Sequence, residues 1–496
     1  MKNPRKELTV FLPCSDPQKP PDLAAELLAS EHVDRVVLVV PKRHRGPSND
    51  FAQISSGTLT SSETMGKVAA KTRTRFTMLI LQEAGVSFAR FGLKRFVDIG
   101  ETTGAGLVYS DYQDVTGDER VAHPLIDYQP GSLRDDFDFG QVILFRSSAL
   151  TAAVKSTART QYKSGGLYAV RLALSRKSTV FHIAEQLYSR IQADTRTGGE
   201  KQFEYLDRHS EDVQLEMERV VTQHLKAIKA YVPPGGLEVD LTEGTFPVDV
   251  SVVIPVRNRE ATIAAAVASA LRQEGPFQFN VIVVDNHSTD RTTAIVHNLA
   301  RTEPRLIHVV PEEFGLGIGG CWNEALFNPA CGRFVVQLDS DDIYADGTTL
   351  RRMVETFHAE NCAMVVGSYR LTDFQFTPIP PEIVDHREWT KKNGRNNVLR
   401  VNGFGAPRAF FTPVLRQNPF PDVSYGEDYA VGLTISRDYH VGRIADPIYI
   451  CRRWEGNSDA RLDAVAQNAH DYYKDTLRSL EIRARQSRTA GRSRGR

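Results

Sequence analysis

The chain lacks long apolar runs, has few cysteines and carries no surplus of either charge. Each shortage removes a class of protein. No stretch approaches the roughly 18 apolar residues needed to cross a bilayer, and the N-terminal MKNPRKELTV has no signal-peptide apolar core. That counts against a processive, membrane-embedded polymer synthase. The five cysteines, Cys14, Cys321, Cys331, Cys362 and Cys451, form no CxxC pair and no even framework. Neither zinc nor disulfides are indicated, and the thiols read as reduced, in a cytoplasmic setting. With 61 basic and 61 acidic residues the formal net charge is zero, which gives no support for nucleic acid as a main partner. Only Arg483 to Arg496 is strongly basic, and it reads as a disordered, solvated tail, with an arm for nucleic acid or acidic lipid as the lesser alternative.

At 496 residues, 41% hydrophobic and 25% charged, the chain has the composition of a globular protein of two domains. From Leu8 it alternates β-type runs with helical spacing, as an α/β domain does. TVFLP (Thr9 to Pro13), VDRVVLVVP (Val33 to Pro41), TRFTMLIL (Thr74 to Leu81), GLVYSDY (Gly106 to Tyr112) and GQVILF (Gly140 to Phe145) read as strands. DLAAELLAS reads as a helix, and the polar stretch from Gly46 to Ser62 as a loop. Dense charge on a helical period from about Gln202 to Tyr231 ends at Pro233, Pro234, Gly235 and Gly236, where a linker is expected.

The second half restarts the same plan. DVSVVIP (Asp249 to Pro255) answers TVFLP, a helix is expected over Ala261 to Leu271, and FNVIVVD (Phe279 to Asp285) answers DRVVLVVP. FVVQLDSDD aligns with FTMLILQEA, and GEDYAVGLTISRDYHVGRIADPIY (Gly426 to Tyr449) with GGLYAVRLALSRKSTVFHIAEQLY (Gly165 to Tyr188). Several matches in one order point to a tandem duplication. The expected boundaries are 1–200 for a degenerate first copy, 201–246 for a charged helical linker, 247–480 for a catalytic copy and 481–496 for the basic tail. The first copy lacks the second's acids: Pro41 faces Asp285, Leu81 faces Asp339 and Leu167 faces Asp428, with Glu83 alone left opposite Asp341. Leu, Pro and a single Glu cannot offset a metal ion's desolvation, so structural support or acceptor binding is the expected role of that copy.

The stretch Arg333 to Asp342, RFVVQLDSDD, is the centre of the second copy. An apolar run ends in Asp339, Asp341 and Asp342, as a buried strand does when its C-terminal end delivers acids into a cleft. Carboxylate oxygens suit Mg²⁺ or Mn²⁺, which are commonly completed by substrate phosphates. If the strands are parallel, VIPVRNRE (Val253 to Glu260), VVDNHSTD (Val283 to Asp290), LDSDD and YGED (Tyr425 to Asp428) share one edge.

In order and approximate spacing these motifs, with GLGIGGCWNEAL between them, resemble the family 2 glycosyltransferases of GT-A fold over roughly Val248 to Trp454. The resemblance implies an α/β architecture of two tandem GT-A-like domains with mixed, mostly parallel sheets. It implies an inverting, metal-dependent transfer of a sugar from a UDP- or GDP-sugar to a hydroxyl of a saccharide or glycoconjugate. Pro255, Arg257, Asp285, Asn323, Asp339 and Asp342 fall at donor-binding positions, Asp285 for the base and Asp339 for the ribose. Asp341 matches the ligand of Mn²⁺ or Mg²⁺. Asp428 matches the base that takes the acceptor proton, with Glu427 orienting the acceptor, and the two roles are exchangeable. Asp285 as a strand-end cap, and Glu427 with Asp428 as a helix-dipole pair, remain the plainer readings. Trp322 precedes Asn323 where many relatives carry Arg, and Trp454 stands where a metal-ligating His is often found. The Gly315 to Gly320 turn is a weak phosphate-loop signal. Trp389, Tyr425 and Trp454 are candidate sugar platforms, with core packing the plainer account. A saccharide- or nucleotide-binding tandem module without turnover, and a nucleotidyltransferase, stay as alternatives, and peripheral membrane association is left open.

Overall fold

A computed structural model describes residues 6–42, 51–191, 211–454, 456–457 and 462–494. The chain divides into two compact units, one of residues 1–231 with 462–496, the other of residues 232–461.

In the second unit, strands of Val, Ile and Phe are buried on both faces, as parallel strands between helical layers must be. Across its sheet the order is Leu306–Val309, Phe279–Asp285, Val250–Val256, Phe334–Gln337, Arg408–Phe411, Met364–Thr372, Val441–Arg452 and Ile343–Tyr344, with Pro378–Val384 paired to Met364–Thr372 off this path. Six of the nine strands run one way; Arg408–Phe411, Ile343–Tyr344 and Pro378–Val384 run against them. The sheet is therefore mixed and mostly parallel. Val250–Val256 lies between Phe279–Asp285 and Phe334–Gln337, parallel to both. Their C-terminal ends share one edge, which brings residues 255–260, 285–290 and 338–342 together.

The first unit repeats this order strand for strand: Ala52–Ser56, Val33–Pro41, Leu8–Pro13, Phe76–Ile80, Val142–Arg146, Leu107–Thr116, Val180–Ile191 and Val86–Phe88, with Glu119–His123 beside Leu107–Thr116. Registers match as well. Leu8 pairs with Phe76 as Val250 pairs with Phe334, which places Leu81 at the Asp339 position and Glu83 at the Asp341 position. One correspondence changes. Pro13 pairs with Val39 and Pro255 with Val284, so Val40, not Pro41, stands opposite Asp285. The first unit's pair also carries a register shift between Leu8 and Thr9 that the second unit's pair lacks.

Other boundaries move too. The polar stretch expected as a loop from Gly46 holds the strand Ala52–Ser56, paired to Val33–Pro41, and residues 43–50 lie outside the described part. Of the expected 201–246 linker, residues 201–210 are also outside it. The helix Glu211–Ala227 is no free connector: Val220, Val221 and Leu225 are buried within the first unit. The basic tail is helical, not disordered, from Ala464 through Arg494. It belongs to the first unit, as do the preceding residues assigned to the catalytic copy. Ile482 is buried, and Arg485 donates to Glu481 at 2.6 Å, both nearly inaccessible. An i,i+4 pair and an apolar residue among arginines give that segment a docked face, which composition alone conceals.

Candidate active site

The strand Phe334–Gln337 is apolar because it crosses the core, and its polar extension begins where the core ends. Gln337 is the pivot. Its Nε2 donates to both oxygens of Asp339 at 2.9 and 3.1 Å, and its Oε1 accepts the Arg408 backbone N–H at 3.2 Å. The Asp339 backbone N–H donates to Tyr449 Oη at 3.1 Å. The turn then closes with Asp342 N–H donating to the Asp339 carbonyl at 3.1 Å. Asp342 is buried and accepts the Arg452 backbone N–H at 2.7 Å. Burial raises both Asp339 and Asp342 above the ordinary carboxylate range, and the neighbouring acids push the same way.

Asp341 points elsewhere. Its Oδ2 accepts the Trp454 indole N–H at 3.1 Å and the Asn457 amide at 3.3 Å, with Arg259 Nε at 3.8 Å. Trp454 also has Arg259 over its ring at 5.8 Å and Phe374 edge-on at 5.5 Å. An indole has no lone pair for a metal, so Trp454 holds the acid where a His would share the ion. Three crowded carboxyls with two raised pKa values have the charge and the hard oxygen donors that suit a divalent cation. Among the described residues, no group of three or more His, Cys, Asp or Glu side chains could hold a metal ion.

Glu427 and Asp428 open the helix Glu427–Asp438 behind Gly426, whose φ of 79° needs glycine. Asp428 is ion-paired to Arg408, accepts its neighbour Tyr429's N–H at 2.6 Å, and keeps 23% of its side chain exposed. Glu427 is buried, and its Oε2 has no hydrogen-bond partner. Burial, reinforced by Asp428, pushes it up to about 8. The two carboxyls thus differ: Glu427 is buried and favours its neutral form, whereas Asp428 is partly exposed and paired with Arg408. Arg408 ties this pair to Asp339 through Gln337.

Asp285 lies at the same edge but is closed off. Its Oδ1 accepts Ser288 N–H at 3.0 Å, its Oδ2 accepts Thr293 Oγ1 at 2.5 Å, and His308 Nε2 is 3.5 Å away. Burial alone would raise it, but these bonds outweigh that and hold it low. Here the plainer strand-end cap describes Asp285, which fixes the loop that follows. Ser288 accepts from Asn258 N–H at 3.0 Å, joining that loop to the one bearing Arg259. Pro255 is half-buried on its strand and Arg257 is exposed beside Asn258.

Asn323 Nδ2 donates to the Phe420 carbonyl at 2.8 Å and its Oδ1 accepts the Phe420 N–H at 3.0 Å, so it clamps a loop. Trp322 is core, packed on Phe420 and Phe410 with ring centroids at 5.1 and 6.2 Å. Three amides of the glycine turn are already engaged within the protein. Gly317 and Gly320 N–H donate to Asp422 Oδ1 at 2.7 and 3.1 Å, and Gly319 N–H to the Val423 carbonyl at 3.0 Å. Gly319 is required because a Cβ there would lie 1.9 Å from the Pro421 carbonyl oxygen. Trp389 packs against Phe404 at 5.4 Å, and Tyr425 is half-buried.

Arg408, Gln337, Asn457 and Asp422 escaped the sequence reading. An Arg heading the buried run RAFF was a usable signal, since a cation entering a core needs an acid. The others had none in their spacing.

The second unit is thus a mixed α/β sheet whose strand ends gather acids and an ion-paired carboxylate at one edge. Residues 251–416, within the second unit, match the family model "Glycosyl transferase family 2". The chain is 29% identical over 207 residues to the Escherichia coli UDP-Glc:alpha-D-GlcNAc-diphosphoundecaprenol beta-1,3-glucosyltransferase WfgD, covering 41% of this chain and 76% of that one. It is 37% identical over 118 residues to the Rhizobium meliloti succinoglycan biosynthesis protein ExoO, covering 24% of this chain but only 32% of that one. Among solved structures, S. aureus TarS 1-349 in complex with UDP-GlcNAc aligns with a TM-score of 0.37 and 23% identity, over 47% of this chain and 66% of that one.

Proposed function

We propose that the second unit is an inverting, metal-dependent transferase that moves a sugar from a UDP- or GDP-sugar to a hydroxyl of a saccharide or glycoconjugate. The observation that carries this reading is the connected path Asp428, Arg408, Gln337, Asp339, which links an accessible, arginine-paired carboxylate to the acidic strand end. Asp428 accepts the acceptor hydroxyl's proton while that oxygen bonds to the anomeric carbon and the bond from this carbon to the diphosphate oxygen breaks. One displacement with one base inverts the carbon. Arg408 orients Asp428 through their ion pair, and Glu427, whose burial favours the neutral form, can offer its proton to a substrate oxygen.

Asp341 would hold Mn²⁺ or Mg²⁺ with Asp339 and Asp342 nearby, the donor diphosphate completing its shell. The ion's contribution is Lewis-acid neutralisation of the leaving diphosphate. The E. coli relative's named substrate suggests a lipid-diphosphate-linked saccharide as acceptor, worked on from the cytoplasm at a membrane surface; no described helix is long and apolar enough to cross one. In the first unit, Leu81 and Ile143 at the Asp339 and Arg408 positions support a non-catalytic role.

A panel of UDP- and GDP-sugars with Mn²⁺ tests the reading. Release of nucleoside diphosphate, and an anomeric configuration in the product opposite to the donor's by NMR, are expected. Pyrophosphate release would make the protein a nucleotidyltransferase, and tight nucleotide binding without product a binding module.

A further inference from the structure

We propose that a cavity in the first unit is a binding site for a sugar carrying an anionic group, a phosphate or a carboxylate. It encloses about 310 Å³ where the helices Ser147–Thr157, Gly166–Ser175 and Glu211–Ala227 meet, far along the chain from any acid of the strand-end site. Arg159 and Arg176, both exposed, line it, and among the described residues neither meets a carboxylate. His224, only 6% exposed, lines it too, and among the described residues its Nδ1 has no hydrogen-bond partner. The other ring nitrogen bonds the Leu172 backbone, and burial together with Arg176 and Arg171 lowers the imidazole to about 3. The ring is thus neutral and Nδ1 is a bare acceptor.

Both arginines follow helix C-termini, where cations complement the last carbonyls. That accounts for their positions but not for a buried nitrogen without a donor, which native structures rarely leave. A ligand that answers both demands has an anion for the guanidinium pair and a hydroxyl that donates to Nδ1. A volume near 300 Å³ is at the small end for ligand pockets and suits a single sugar. Thr160, whose hydroxyl accepts from Gln223 at 3.4 Å, adds a polar wall. Nothing here depends on the activity of the second unit.

The full chain is titrated by calorimetry with glucose 6-phosphate, glucuronate, glucose and inorganic phosphate. In parallel, the ¹⁵N signal of His224, assigned with His224→Asn, is followed by NMR. One sugar acid is expected to bind and move that signal, at least tenfold more tightly than glucose or inorganic phosphate. The double variant Arg159→Gln/Arg176→Gln is expected to weaken it at least tenfold while UDP binding, a check on the second unit, is kept. Glucose 6-phosphate against glucuronate decides which anion is meant. The proposal is overturned if neither sugar acid moves the His224 signal, if the double variant binds as the parent does, or if inorganic phosphate alone matches the sugar acid.

Discussion

The two units share one strand order and one register, yet they differ at the C-terminal strand edge. The second unit places Asp339, Asp341, Asp342, Glu427 and Asp428 there; at the matched positions the first has Leu81, Glu83, Ala84, Gly166 and Leu167. The same fold is therefore stable with or without the acids, and in the second unit they are a burden. Burial raises Asp339, Asp342 and Glu427, which means the folded state disfavours their charge. A sheet edge keeps such groups only where something other than folding requires them. In the first unit the surviving Glu83 has turned inward to local work, accepting from Ser15 N–H and Oγ at 2.7 and 2.8 Å.

This contrast breaks most sharply at Asp428. Replacement by Asn, nearly isosteric, removes the base and leaves Arg408 without its charge partner. Turnover should fall by about 10³-fold, within the usual range for a general base, with circular dichroism unchanged; nucleoside diphosphate release measures it. A drop under threefold would mean that the second unit, like the first, does not use this position. Asp341→Ala should come next, at roughly 10²-fold, because one electrostatic contact to the leaving group is lost. Chelation by EDTA should abolish parent activity, with recovery on adding Mn²⁺. If EDTA changes nothing, the acids hold the donor without an ion.

Glu427 gives a readout independent of turnover. Its folded value of about 8 lies above the ordinary glutamate value of 4.5, so between those values the folded state binds more protons than the unfolded one. Stability then falls as pH rises from about 5 to 8 and levels above. Glu427→Gln removes that dependence. The variant should gain on the parent across this window, reaching a difference on the order of a few kcal/mol near pH 8. Urea midpoints at pH 5, 6.5 and 8 measure it, and parallel pH profiles for the two proteins would show that Glu427 is ionised in the fold.

The fold was legible because its signals are local. Buried strands read as apolar runs, and the duplication repeats Tyr-Ala-Val and Ser-Arg in register at Tyr168 and Tyr429. The acids at the strand end were legible for the same reason, as charges that end a core run. Partners were not, since Arg408 meets Asp428, and Trp454 meets Asp341, only through the sheet order. Asn323 and Asp285 were read by position as donor contacts; the structure turns both toward backbone or side chains beside them, a choice of rotamer and loop path that no spacing encodes. The C-terminal helix was concealed by its arginines, because Glu481 neutralises Arg485 inside the fold while composition counts only the excess.

The smallest expected effect makes the strictest test of the comparison. Glu83 occupies the position of Asp341, and if the first unit retained any part of the chemistry it would be here. Its neighbours say otherwise: Leu81 and Ala84 replace the flanking acids, and Ser15 already uses its Oε1 in a partly exposed setting. Glu83→Gln keeps an acceptor for Ser15 and removes only the charge. Turnover should stay within twofold of the parent and stability within about 0.5 kcal/mol, as for surface substitutions away from special features. A loss comparable to that of Asp341→Ala would show that both strand edges act on substrate, and that Leu81 and Leu167 mark a second kind of site, not a discarded one.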